Sequence, residues 1–257
     1  MHGHRGARAR LPENTLPGFA YAISVGADAI EMDVAVTRDD VVVVSHDPKF
    51  NPAICSFPTQ LRAIRELTLA ELAQWDCGAL GNRRFPKQTP IPGARIPTLD
   101  QVLSLADRGS FHFNIEIKSY PERPELSPPP DRFSELVWQV IRQRKLERRV
   151  IVQSFDFRAL HAMRRLAPEI RTAALYVGAP KSFVRVAHQA GAQIVAPYHA
   201  LVTPRKVRAA HAAGLRVIPW TPNRPRDWKR LIAARVDGMI TDDPEALLAY
   251  LRRLELS

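Results

Sequence analysis

VIVQSFDFRALHAMRRLAPEIRTAALY, residues 150–176, holds a strand-like run starting at Val150, a helical pattern, and a second strand-like run starting at Arg171. The cadence continues with runs starting near Gln193, Arg216 and Gly238, at intervals of roughly 22 residues with a helical pattern in each, as βα units produce. Toward the N-terminus, strands over residues 2–4, 29–34 and 112–118 bring the count to eight. Eight parallel strands with right-handed crossovers close most naturally as a (β/α)₈ TIM barrel, so an α/β fold is expected. Residues 48–97 break the rhythm with several prolines, Gly78-Ala79-Leu80-Gly81-Asn82 and one amphipathic stretch, Leu69 to Trp75. They read as a small lobe inserted after strand 2 of a single domain spanning residues 1–257, in a place where lobes often shape substrate access. Pro121 to Pro130 reads as a surface connection. Thr15 and Thr98 stand where N-caps of the next helices belong.

Barrel sites gather at the C-terminal ends of the strands, and the chemistry-bearing residues fall there. In Ala29-Ile30-Glu31-Met32-Asp33-Val34 the period-2 alternation sends Glu31 and Asp33 to one face and the aliphatic side chains to the other. Two acids so close repel unless a cation lies between them, and hard cations such as Mg²⁺ or Ca²⁺ take such oxygen ligands; the bland reading is an edge strand with its acids in water. A second alternating strand, His112 to Lys118, places Asn114, Glu116 and Lys118 on one face, which adds a third carboxylate ligand and a positive charge for phosphate. His4 and His46 lie at strand ends and suit proton transfer near neutral pH, while Arg5 can bind two phosphate oxygens at once. Glu13 is either held near Arg5 by the turn between strand and helix or is a first-turn acid favoured by the helix dipole. Trp220 either walls the pocket or packs its rim, and Asp242 reads as a cap of the last helix.

In this order, H-R-G-A (4–7), P-E-N-T (12–15), E-x-D-V (31–34), the S-H-D end (45–47) of an apolar run and I-E-I-K (115–118) resemble the glycerophosphodiester phosphodiesterase family. The resemblance continues through Gln153-Ser154-Phe155, Pro219-Trp220-Thr221 with Asn223, and Ile240-Thr241-Asp242 with Pro244, and is weaker over residues 48–97, where the family also carries an insertion. It implies metal-dependent hydrolysis of a glycerophosphodiester to glycerol 3-phosphate and an alcohol, by attack of water or through a cyclic intermediate formed by the glycerol hydroxyl. The implied roles are His4 and His46 as acid/base pair, Glu31, Asp33 and Glu116 as ligands of a divalent cation (Mg²⁺ or Ca²⁺), and Arg5 and Lys118 as phosphate contacts. A related phosphodiesterase acting on lysophospholipids or sphingolipids is the alternative, and a catalytically silent binding protein is a third reading.

At 257 residues, 46% hydrophobic and 25% charged, the chain can bury the core of one large domain. Its net charge of +11 could draw nucleic acid or anionic lipid. The arginines, however, are spread along many helices without interleaved aromatics, so a solvated basic surface that attracts small anionic substrates is favoured over nucleic-acid binding. Cys55 and Cys77 lack metal-ligand spacing, so free thiols in a reducing compartment are expected, with a single bridge between them conceivable. No apolar run approaches the ~20 residues of a membrane span and no apolar leader precedes the first motif, so a cytoplasmic location without stable membrane insertion is expected.

Overall fold

A computed structural model describes residues 1–56, 62–120, 122–179 and 181–255. Residues 57–61 of the expected insertion and Pro121 of the expected surface connection lie outside the described residues. Strands β1 (His2–Gly3), β2 (Ala29–Val36), β3 (Val42–Val44), β4 (His112–Ile117), β5 (Val150–Ser154), β6 (Arg171–Tyr176), β7 (Ile194–Pro197), β8 (Arg216–Val217) and β9 (Ile240–Thr241) follow the expected positions closely. All but β3 are parallel, in the order β8-β7-β6-β5-β4-β2-β1-β9, and β3 returns antiparallel on β2. Past β8, Trp220 forms parallel bridges to Tyr198 and Ile240, and Ile240 N donates to Pro219 O at 3.0 Å. These contacts bring the two edges together and close the sheet as a TIM barrel.

The helices α1 (Leu16–Ser24), α2 (Leu69–Leu72), α3 (Leu99–Leu103), α4 (Pro130–Arg144), α5 (Phe157–Leu166), α6 (Phe183–Ala190), α7 (Pro204–Ala212), α8 (Pro225–Ala233) and α9 (Pro244–Glu255) supply one crossover per barrel strand, with α2 left in the lobe. Local chemistry starts them where the sequence indicates: Thr15 Oγ1 accepts from Gly18 N, and Thr98 accepts from Gln101 N while Gln101 answers with a bond to Thr98 N. Alternation along the strands makes two apolar layers. Ile30, Met32 and Val34 with Phe113, Ile115 and Ile117 face the helices, in one continuous core. Inside the barrel, Ile151, Ala173, Leu175, Ile194, Ala196, Ile218 and Ile240 fill the side formed by β5 to β9. The side formed by β2, β4 and the C-terminal end of β5 carries Glu31, Asp33, Asn114, Glu116 and Gln153, all buried. The barrel interior is thus divided into an apolar half and an ionisable half.

Between β3 and α3 the chain leaves the barrel and gathers around its own apolar cluster of Ile64, Leu67, Leu72 and Trp75, packed on Ala35 and Val43. Helix α2 stops at Leu72, short of the expected Trp75, because Trp75 turns into this cluster, edge-on to Phe50 at 4.9 Å. The cysteines are not free: Cys55 and Cys77 form a disulfide. Ser56 and Asp76 pair antiparallel, with Ser56 N to Asp76 O at 2.7 Å and Asp76 N to Ser56 O at 3.1 Å, and this sets the two flanking cysteines abreast with Cα atoms 3.9 Å apart. The expectation of free thiols failed because that pairing spans 22 residues of irregular chain and has no sequence period.

Candidate active site

A tight turn after β1 begins the site. A Cβ on Gly3 would meet Gly6 O at 2.2 Å, and one on Gly6, itself at φ +85°, would meet Gly18 C at 2.7 Å, so both positions require glycine. Arg5 between them also takes positive φ, 51°, which costs a non-glycine residue ~1–2 kcal/mol. The geometry is held by Arg5 N donating to Glu31 Oε2 at 2.9 Å and by Asn14 N donating to Arg5 O at 3.0 Å. The backbone strain therefore sits where it fixes a carboxylate.

Register does the rest. Asp33 on β2 lies beside Glu116 on β4, and Glu116 beside Gln153 on β5. One oxygen from each of Glu31, Asp33 and Glu116 lies within 4.8 Å of the others. Asp33 Oδ1 and Glu116 Oε1 are buried and find no hydrogen-bond donor among the described residues, while Lys118 Nζ stands off at 3.3 and 3.6 Å. Three hard oxygen donors, two of them unsatisfied, make a set that fits a divalent cation of the Mg²⁺ or Ca²⁺ kind.

The electrostatics of the three acids differ. Burial, then Asp33 and Glu116, pushes Glu31 well above the usual carboxylate range. Burial raises Glu116 to about 7 against the pull of Lys118. Burial acts upward on Asp33 too, but Arg5 and then Lys118 outweigh it and hold its carboxyl far below that range. Arg5 bridges Glu13, at 2.7 Å, and Asp33, at 3.1 Å. Lys118 is raised because Asp33 and Glu116 outweigh its own desolvation. The site is a charge lattice short of positive charge at its centre.

A cavity of about 410 Å³ opens above the carboxylates, with His4, Arg5, His46, Lys118 and Trp220 on its wall. Each histidine is oriented through Nδ1: that of His4 donates to Asp242 Oδ1 at 2.5 Å, and that of His46 to Asp47 Oδ1 at 2.7 Å. Nε2 is left as the working nitrogen on both, 3.9 Å from Glu31 Oε2 for His4. His4 is driven downward by burial in spite of Asp242, so its ring is neutral and able to accept a proton. Glu13 does not line this cavity; it lies behind Arg5, which it holds, with Arg8 Nη1 at 3.5 Å on its other oxygen. Trp220 lines the cavity, its indole N–H donating to Ala196 O at 2.8 Å and its ring against Phe155 and Tyr198 at 5.6 and 5.5 Å.

Several participants were missed or misread from sequence. Asp242 does not cap α9; Asp243 does, accepting from Ala246 N, while Asp242 binds His4, Arg8 and Asn223. In Asp242-Asp243-Pro244 either acid satisfies a capping pattern, and nothing local separates them. Asn14 Nδ2 donates to Asp33 Oδ2 at 3.0 Å, and Gln153 Nε2 donates to Glu31 Oε1 at 2.9 Å. Asn114 donates to Gln153 Oε1 at 3.0 Å and approaches His2 Nδ1 at 3.3 Å. The alternation that revealed Glu116 also pointed Asn114 inward, which was the available signal for this chain of amides.

A profile of the glycerophosphoryl diester phosphodiesterase family matches residues 4–246. The glycerophosphodiester phosphodiesterase of Caldanaerobacter subterraneus subsp. tengcongensis is 33% identical over 97% of this chain and 96% of its own length. Among crystal structures, a Silicibacter pomeroyi protein designated for the same family superposes with a TM-score of 0.92 at 34% identity, over 100% of this chain and 94% of that one. A phosphodiesterase of Oleispira antarctica in complex with sn-glycerol 3-phosphate shares the fold, with a TM-score of 0.83 at 22% identity over 98% of this chain and 96% of that one.

Proposed function

This chain belongs to the glycerophosphoryl diester phosphodiesterase family and is a phosphoric diester hydrolase, and from that premise we propose that it cleaves a glycerophosphodiester to glycerol 3-phosphate and an alcohol with the help of one divalent cation. The observation that carries the metal dependence is the convergence of Glu31, Asp33 and Glu116 with two buried oxygens unsatisfied. Bound there, a Mg²⁺ or Ca²⁺ ion offsets the carboxylate charge and polarises phosphoryl oxygens. Arg5 and Lys118 hold the phosphate, Glu13 keeps the Arg5 guanidinium in place, and Trp220 walls the glycerol-bearing cavity. His4 and His46 exchange protons with nucleophile and leaving group through Nε2, each ring fixed by its aspartate. The product bound to the Oleispira relative supports glycerol 3-phosphate as the half retained.

The test is turnover of glycerophosphocholine after removal of divalent ions with chelator, then with Mg²⁺ or Ca²⁺ restored. Glycerol 3-phosphate should form only on restoration; equal turnover in chelator would end the metal-dependent reading. Running lysophosphatidylcholine and sphingomyelin alongside separates the lipid-cleaving alternative, which no feature of the site favours. A single domain over residues 1–257 with 48–97 as its insertion is also proposed, supported by one continuous core around the barrel and a lobe cluster resting on Ala35 and Val43. No helix among the described residues is long and apolar enough to cross a membrane. A cytoplasmic location remains the proposal, and the Cys55–Cys77 bridge weighs against it, because thiols are kept reduced there.

A further inference from the structure

The cations on the cavity wall are unequal. Arg5 is paired with Glu13 and Asp33, Arg8 with Asp242 and Glu13, and Lys118 with Asp33 and Glu116. Arg84, which the lobe contributes to the same wall, has no carboxylate partner among the described residues. It is exposed, so the charge stands at the rim rather than over the carboxylates. Its loop is nevertheless fixed to the catalytic turn. Gln88 Nε2 donates to Arg8 O at 2.7 Å and Leu11 O at 3.3 Å, Thr89 N donates to Arg10 O at 2.8 Å, and the Arg8 guanidinium lies 5.0 Å over the Phe85 ring. Arg84 N in turn donates to Asn82 Oδ1 at 3.0 Å.

An uncommitted guanidinium on an anchored loop at the mouth is built to meet an anion that the inner site does not already hold. We propose that Arg84 binds a second anionic group on the substrate, and that the enzyme therefore prefers diesters whose alcohol carries its own phosphate over those with a neutral or cationic alcohol. This selectivity rests on the glycerophosphodiester reading above. It adds that the lobe, not the barrel, reads the alcohol half. A quaternary ammonium at the same place would face the unpaired guanidinium and be repelled.

The experiment measures kcat/KM of the full chain on glycerophosphocholine, glycerophosphoglycerol and bis(glycerophospho)glycerol, whose alcohols are cationic, neutral and anionic. Wild type should favour the anionic alcohol. Arg84→Ala should lower kcat/KM for that substrate about two- to fivefold, through KM with kcat unchanged, and leave the neutral alcohol alone. Arg84→Glu should invert the order of the anionic and cationic substrates, and Arg84→Lys should restore part of the preference. Lys87→Glu changes the net charge equally from the same loop but off the cavity wall, and should leave the ratio unchanged. If Arg84→Glu lowers all three values by one factor, Arg84 attracts anions in general and the inference about the alcohol is overturned while the hydrolase reading stands. If none of the three diesters is turned over in the presence of metal, both fall.

Discussion

Each catalytic histidine candidate depends on an aspartate, but the two aspartates differ in what else they hold. Asp242 is almost fully buried and joins His4, Arg8 and Asn223, and His4 and Arg8 keep its carboxyl far below the usual range although burial alone would raise it. Asp47 is partly exposed and, among the described residues, joins only His46 and Asn51 by its side chain. Asp242→Asn should therefore reduce both turnover, by ~10²-fold, and stability, on the order of 3 kcal/mol, since Arg8 loses a buried counter-charge and the His4 Nδ1–H its charged acceptor. Asp47→Asn should reduce turnover by a similar ~10²-fold with denaturant unfolding almost unchanged. Steady-state kinetics beside urea unfolding would show it, and equal stability losses in the two variants would contradict the division. At Arg5, lysine cannot span Glu13 and Asp33 as the guanidinium does, so Arg5→Lys should lose turnover even though charge is conserved. Wild-type kcat and KM in that variant would reduce Arg5 to a diffuse charge.

At the level of elements, what could be read from sequence was what is encoded within a few residues. Strands β2 and β4 were legible because one half of the barrel interior is polar, which breaks an otherwise continuous apolar run into alternation. The caps Thr15 and Thr98 bond three residues ahead and were legible for the same reason. The partnership of His4 with Asp242, 238 residues apart, and the register that sets Asp33 against Glu116 are products of barrel closure, with no local trace. The disulfide is of this second kind, and its place gives it a consequence. Cys55 N donates to Asn51 O, Asn51 Nδ2 donates to Asp47 Oδ2, and Asp47 holds His46, so the bridge sits three links from a catalytic candidate. Closing a loop of this size is worth about 3 kcal/mol. Cys55→Ser with Cys77→Ser should loosen the lobe by up to that amount and lower kcat, while far-UV circular dichroism shows the barrel helices intact. An unchanged kcat on fully folded double variant would show that His46 is placed by β3 alone.

For the whole molecule, the carboxylate cluster makes stability and metal binding two readings of one quantity. Glu116 is raised from its usual 4.5 to about 7, so between those values the folded chain holds a proton there that the unfolded chain has released. The contribution of Glu116 to stability then falls as pH rises through that window, being complete below 4.5 and gone above about 7. Glu31, raised by burial and by its two neighbours, acts in the same direction. Asp33 and Asp242 act oppositely, but both are lowered from 3.8, so their contributions are lost only as pH falls below that value. His2 and His4, lowered by burial, also act oppositely, their contributions being lost as pH falls below 6.5, so the raised carboxylates weaken the chain stripped of divalent ions unopposed only between pH 6.5 and about 8. A cation that binds the ionised carboxylates reverses the trend. At a concentration 100-fold above its Kd it contributes about 2.7 kcal/mol, on the order of 5–10 °C in Tm for a chain of this size, and it must first displace the proton when the pH is low. Thermal unfolding with chelator and with Mg²⁺ or Ca²⁺ should thus show a large rise in Tm at pH 8 and a small one at pH 5. Glu116→Gln carries no proton to displace and one ligand charge fewer. It should flatten the pH dependence in chelator, unfold no more easily than wild type at pH 8 without metal, and gain little from the ion. A metal-induced rise of the same size at pH 5 and pH 8, or a Glu116→Gln protein that keeps the full rise, would mean that these acids are held apart by the protein's own cations and that the ion, if one is needed, binds elsewhere.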